Sequence, residues 1–223
     1  MPAQQKALNV GGNYMETSLI ERILQKVDSY SGDYLALKNQ AKKYLRNNSI
    51  IDNSETLNIL HRPWVAPFNW GLRLYNGADK NWPDQFEQKT LRAIPDFYKD
   101  FLLEINGCFI YDLSLFGLTP SIFSKGTLDR TQLQCHDLLT ANTDWIQNYK
   151  VDKRNFHFGG RSYTFSENIG YFFDGNEIKA LRSNGRTIKS WQSFSVFLDD
   201  EIREAEKIMI KGIPKAVKIS KEE

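Results

Sequence analysis

The run Ile94-Pro95-Asp96-Phe97-Tyr98-Lys99-Asp100-Phe101-Leu102-Leu103-Glu104-Ile105-Asn106-Gly107 leaves its backbone few choices. Proline in a first helical turn removes only a donor the helix cannot use, and Asn-Gly supplies the left-handed residue that closes a C-terminus. The run therefore predicts a short helix that stops at Asn106-Gly107 and feeds a strand. Phe97, Tyr98, Phe101, Leu102 and Ile105 recur at helical spacing, which gives the helix one apolar face for a core. Cys108 to Leu118 then suits a strand pair or a bent strand, with Phe109, Tyr111, Leu113 and Leu115 alternating toward one side.

Upstream, residues 1–13 carry no periodic pattern, and a helix is expected from about Met15 to Tyr30. Ser31-Gly32-Asp33 breaks it, with Asp33 as N-cap of a second helix carrying Leu37, Ala41, Tyr44 and Leu45. Between Asn47 and Pro83, three prolines interrupt a ring-rich run with Trp64, Phe68, Trp70, Tyr75 and Trp82, so no single regular element spans it. Exposed rings there would make a binding surface, but irregular backbone pinned by its own buried rings is the commoner arrangement.

Downstream, Leu128 to Tyr149 reads as helix-containing, with Leu133, Leu138, Leu139, Trp145 and Ile146 as buried positions. Gly159-Gly160, Asp174-Gly175 and Asn184-Gly185 are turn dipeptides between strand-like runs, which predicts an antiparallel meander. A last helix starts near Trp191, carries Phe194, Phe197, Leu198, Ile202, Ala205 and Ile208 on one face, and ends at Gly212 and Pro214. The division expected is a helical and Trp/Pro-rich extension over 1–80 packed on the core, a domain over 81–211, and a basic tail over 212–223.

With 223 residues, 41% of them hydrophobic and 13% aromatic, the chain can build a sizeable ring-rich core. A net charge of +2 is too small to argue for nucleic acid or an anionic membrane. Residues 80–210 carry sixteen Lys/Arg against eighteen Asp/Glu, so the middle is slightly acidic. The stripe Lys38, Lys42, Lys43 and Arg46 could touch phosphate, but a solvated helix face is the plainer reading. Two cysteines, Cys108 and Cys135, without a CxxC spacing fit reduced core thiols. The N-terminus lacks a secretory pattern and no window approaches a membrane span, so a cytoplasmic protein is expected.

Catalytic constellations are weak. Cys135 and His136 are sequence neighbours and point in different directions, whereas a nucleophile and its base must meet from separate elements with a third group orienting the base. Gly159-Gly160 lacks the Lys-Ser/Thr of a phosphate loop. Asp199, Asp200, Glu201 and Glu204 sit on different faces of a helix and are expected to meet solvent. No enzyme, no metal and no cofactor are expected.

The ordered series Ile94-Pro95, Tyr98, Phe101-Leu102, Asn106-Gly107, Phe116-Gly117, then Phe165 and Gly170 in Tyr163-Thr164-Phe165-Ser166-Glu167-Asn168-Ile169-Gly170, then Trp191, Phe194, Phe197 and Leu198, resembles the SUKH superfamily. That superfamily includes bacterial immunity proteins and fungal regulators of cell-wall glucan synthesis. The match covers roughly Trp82 to Ile210; the chain departs from it before Lys80 and at Cys108, where a second small residue is usual. The resemblance implies an α+β fold, a twisted and mainly antiparallel sheet with helices packed on it, and a non-catalytic protein-binding module. Its partner would be a toxin domain, with a regulatory scaffold as the alternative. Contact with that partner is expected through Trp145, Tyr149, Arg161, Tyr163 and Tyr171, which combine rings with a planar cation near the sheet.

Overall fold

One antiparallel sheet organises the chain. The computed structural model describes residues 8–46, 48–67, 69–119, 136–164 and 167–213. Nine strands follow one another in sequence order across the sheet: β1 (Ile50–Ile51), β2 (Leu57–His61), β3 (Trp70–Asn76), β4 (Ile105–Ile110), β5 (Leu113–Leu115), β6 (Phe156–Thr164), β7 (Glu167–Phe173), β8 (Ile178–Arg182) and β9 (Thr187–Trp191). Every neighbouring pair is antiparallel and the sheet does not close into a barrel. Six helices among the described residues accompany it: α1 (Leu8–Ser29), α2 (Leu35–Tyr44), α3 (Trp82–Thr90), α4 (Asp96–Glu104), α5 (Leu138–Thr143) and α6 (Phe194–Lys211). The class is α+β. None of these helices is long and apolar enough to cross a membrane.

The ring-bearing stretch before Pro83 is part of the sheet. It contains two strands, β2 and β3, with Trp70 and Tyr75 on β3, and β3 pairs directly with β4. Strands on either side of position 80 thus belong to one sheet. Leu57, Ile59, Leu72 and Leu74 from these strands are fully buried in the main core.

Helix α4 starts as expected, with Pro95 as the N-cap residue whose carbonyl accepts from the amides of Tyr98 and Lys99. It ends earlier than the sequence indicates. Ile105 is already extended, so Asn106-Gly107 lies inside β4 and not at a helix C-terminus. Gly107 has φ of +82° where the β3–β4 register shifts between Leu74 and Asn76, so its left-handed backbone serves a strand irregularity. The Asn106 amide donates to the Leu118 carbonyl and accepts from the Leu118 amide, both at 2.7 Å, and so binds β4 to the chain leaving β5.

The hairpin turn at Tyr111-Asp112 pairs Ile110 with Leu113 and Cys108 with Leu115. Those four side chains face the main core, whereas Phe109 pairs with Ser114 on the opposite face. The single alternation from Phe109 to Leu115 therefore fails, because the turn reverses the chain within it.

Asp174-Gly175 and Asn184-Gly185 form the β7–β8 and β8–β9 turns, with Gly175 and Gly185 at positive φ. Gly159-Gly160 is not a turn; both residues lie within β6. Trp191 closes β9, and Ser193 caps α6 by accepting from the Val196 amide. Phe165, Ser166, Cys135, the basic tail from 214 onward and the positions Leu128 and Leu133 lie outside the described residues.

The core between the sheet and helices α4 and α6 is aromatic. Tyr98, Phe101, Phe158, Phe194 and Phe197 contact one another with centroid separations such as 5.1 Å for Tyr98–Phe158 and 5.5 Å for Phe158–Phe197. Ile94 and Leu102 are buried beside them. Edge-to-face ring pairs add to the area they bury.

Asn106→Ala removes both hydrogen bonds to Leu118 and leaves a buried amide and carbonyl unmet. Urea unfolding should show a loss of about 2 to 4 kcal/mol with the slope unchanged.

Candidate functional site

An extra residue in β6 decides what each face of the sheet presents. His157 pairs with Phe172 and Gly159 with Tyr171, so Phe158 is an inserted bulge residue. Phe158 enters the ring core, and His157 and Phe172 lie stacked on the other face with centroids 4.3 Å apart.

Helix α5 and a following 3-10 turn (Trp145–Asn148) cover that second face near β6 and β7. Asp137 caps α5, accepting from the amides of Leu139 and Thr140. Before the cap, the chain runs parallel beside Gly117, with the Gly117 amide donating to the His136 carbonyl at 2.9 Å. Asn142 docks the helix on β6 by pairing with both backbone groups of His157, at 2.8 and 2.9 Å. A Cβ on Gly170 would stand 2.6 Å from the Phe172 ring and 2.8 Å from the Tyr149 ring. Only glycine lets those rings reach the strand.

Between this cover and the sheet lies a pocket of about 410 Å³, lined by Phe109, Ser114, Phe116, His136, Trp145, Tyr149 and His157, with Gly160 in its floor and Asn148, Asn168 and Ser183 among its polar lining residues. Trp145 packs on Phe116 at 5.4 Å and on His136 at 5.8 Å. His136, open to solvent along one side, sets Nδ1 3.0 Å from the Ser114 hydroxyl, and desolvation by its neighbours lowers its pKa. Burial lowers the pKa of His157 to about 4, more than the Ala141 and Gly159 carbonyls raise it.

Ser114 and His136 meet across separate elements, as a nucleophile and base would. Among the described residues no carboxylate hydrogen-bonds the imidazole, so the group that orients a catalytic base is missing from the arrangement. No group of three or more His, Cys, Asp or Glu among the described residues is placed to hold a metal ion.

A second recess of about 500 Å³ lies on the helical side, with Asp33, Asp100 and Glu104 around Tyr34, Phe97 and Phe194. Desolvation and these carboxylates raise the Tyr34 pKa, and Glu104 is already engaged by the Ser31 amide at 2.7 Å. The ring-lined pocket is the more apolar of the two and carries the convergent polar groups of a binding site.

The five positions expected to meet a partner divide. Trp145 and Tyr149 are half-buried and line the pocket. Arg161 lines its inner end but is 3% exposed and engaged elsewhere. Tyr171 is 1% exposed on the core face, against Phe158, Phe197 and Trp191, and presents no surface. The Tyr163 side chain lies outside the described set. The sequence assigns no functional role to His157, Ser114 or Phe109, the last of which it places only among alternating strand positions; a histidine shortly before a Gly-Gly inside a strand-like run is the one local signal for His157.

Arg161 instead anchors a buried polar knot. Its Nη2 donates to the Glu201 carbonyl at 2.6 Å and lies 3.1 Å from the Glu201 carboxylate, which also accepts from the Tyr171 hydroxyl. Glu201, expected at a solvent-facing position, is 5% exposed, because the face of α6 that carries Phe197 and Leu198 turns it onto β6 and β7. Asp112 completes the knot 3.7 Å from Arg161 Nε. Burial raises the Asp112 pKa more than Arg161, its own amide and Arg62 lower it, and burial likewise raises that of Glu201 against the pull of Arg161.

No protein-family model, curated protein or solved structure matches the chain.

The pH dependence follows from Asp112. Its folded pKa is raised, so between its ordinary 3.8 and that raised value the native state holds more protons than the unfolded chain, and stability falls as pH rises. In Asp112→Asn this loss is absent. Chemical unfolding across pH 4 to 7 should show the variant gaining on the parent as pH rises; a constant difference would refute the assignment.

Proposed function

We propose that the chain is a non-catalytic protein-binding module of SUKH type, acting in the cytoplasm as an immunity protein that binds and neutralises a toxin domain. The observation that carries the reading is the ring-lined pocket on the thinly covered face of the sheet. Half-buried Trp145 and Tyr149 are the residue types that dominate interface energetics, and they stand on a scaffold fixed by the Asn142 and Asp137 contacts. Exposed Asn148 and Asn168 give the pocket a polar lip that a partner can cover without opening the core. The family resemblance of the Ile94–Gly117 and Trp191–Leu198 segments supplies the toxin as partner, and these residues supply framework.

Co-expression with the product of the adjacent open reading frame tests this directly. The chain should relieve that product's toxicity and co-purify with it. Asn148→Arg, which changes an exposed residue of the lip, should weaken binding at least tenfold with the melting temperature unchanged; growth arrest that the parent chain does not relieve would refute the reading.

A further inference from the structure

The recess of about 500 Å³ on the helical side gathers negative charge that no cation answers. Asp33 reaches it from the turn Gly32–Tyr34 between α1 and α2, and Asp100 and Glu104 from one face of α4. The Ser31 amide holds one Glu104 carboxylate oxygen at 2.7 Å. Among the described residues none of the three carboxylates has an ion pair. Like charges at one concave site focus a negative field into it. A second feature points to a ligand. Tyr34 lines the recess and is 3% exposed, and its hydroxyl makes no hydrogen bond among the described residues. Unlike the Tyr30 hydroxyl, it is not sealed from solvent. Desolvation and then Glu104, Asp100 and Asp33 push its pKa up, so it stays a neutral phenol with lone pairs to offer.

The surroundings narrow the cation. The rings of half-buried Phe97 and of Phe194 stand 5.1 Å apart, and Tyr34 lies 6.3 Å from Phe194. A planar guanidinium stacks on such rings and spreads its N–H donors over carboxylates from separate elements, whereas an ammonium is a compact, strongly hydrated charge. Helix α6 starts beside the recess, but the Ser193 hydroxyl and carbonyl already accept from the Val196 and Phe197 amides. Helix α4 ends there, and a helix C-terminus favours a cation.

We infer that this recess binds the guanidinium group of an arginine side chain, which stacks against Phe97 and Phe194 and donates to Asp33, Asp100, Glu104 and the Tyr34 hydroxyl. Its volume accommodates that group with its stem. Leu103 in the lining is exposed, as are Leu35 and Val196, which follow lining residues Tyr34 and Ser195 in the chain. A polypeptide that carries the arginine can cover this apolar surface, and a free small cation cannot. The inference rests on the protein-binding reading only for that source.

The test uses the full chain and capped amino acids in NMR titrations. Nα-Acetylarginine amide should bind about tenfold tighter than its neutral isostere Nα-acetylcitrulline amide, and tighter than Nα-acetyllysine amide, with the ring signals of Phe97 and Phe194 shifting. Asp33→Asn and Asp100→Asn change exposed residues, and Tyr34→Phe deletes a hydroxyl that holds nothing inside the fold. Each should lower affinity for the arginine amide about threefold or more, with the melting temperature not lowered. Equal affinity for the arginine and citrulline amides, no binding of either, or three variants that bind like the parent would overturn the inference. Lysine amide bound as tightly as arginine amide would overturn the guanidinium assignment, and free L-arginine bound tenfold tighter than the amide would overturn the polypeptide source. Arginine preference without relief of toxicity on co-expression would refute the toxin and keep the recess; relief without that preference would do the reverse.

Discussion

The inserted residue at Phe158 is the constraint on which both faces of the sheet depend. A strand alternates its side chains, so without the insertion β6 could not place Phe156, Phe158 and Arg161 toward the helices while His157 faces away. The carbonyl of Phe158 is where three elements converge. It accepts from the Phe116 amide at 2.9 Å, and the Tyr98 hydroxyl of α4 lies 2.9 Å from it and 2.6 Å from the Phe116 carbonyl. The end of β5, the bulge in β6 and the apolar face of α4 are thus held to one point. The backbone there supplies the ring core on one side and the pocket floor on the other.

The polar knot on α6 serves orientation more than net stability. Removing two charges from water costs about as much as their attraction returns, so the Arg161–Glu201 pair adds little by itself, yet breaking one side of it would cost about 3 to 5 kcal/mol. With Glu201 bound both to Arg161 of β6 and to Tyr171 of β7, α6 cannot slide along the sheet without unpairing a buried charge. The ring contacts of Phe194 and Phe197 are less directional. Stacking fills space, and the knot sets the register.

What could be read from the sequence follows how local each signal is. Asp174-Gly175 and Asn184-Gly185 form turns because a left-handed backbone is decided within the dipeptide, and the Phe194 to Met209 face is buried because helical spacing repeats over many turns. Gly159-Gly160 and Asn106-Gly107 carry the same local signal, but a bulge and a shifted strand register use it instead, and only the neighbouring strand distinguishes those outcomes. Strands β2 and β3 are hidden by the prolines around them, and β2, buried almost throughout, shows no alternation. The pocket was legible only in part. Trp145 and Tyr149 stood out as residue types, whereas Ser114, His136 and His157 are brought together by a parallel bridge at Gly117 and an amide pair at Asn142, neither of which leaves a pattern in the chain.

This separation has a physical consequence for which side chains can be exchanged. Ile94, Tyr98 and Phe101 before β4, and Trp191, Phe194, Phe197 and Leu198 after β8, are bound into the ring core, where altering one methylene disturbs several close-packed neighbours. The pocket wall comes from one short helix and a 3-10 turn, attached through the Asn142 side-chain amide on the His157 backbone and through backbone bonds of Gly117 to His136 and Leu138, none of which depends on which rings occupy positions 145 and 149. Side chains at the lip can therefore be exchanged at the cost of their own contacts alone. On the proposed protein-binding reading, a stringent framework on one face and a tolerant pocket wall on the other let specificity shift while the fold stays fixed.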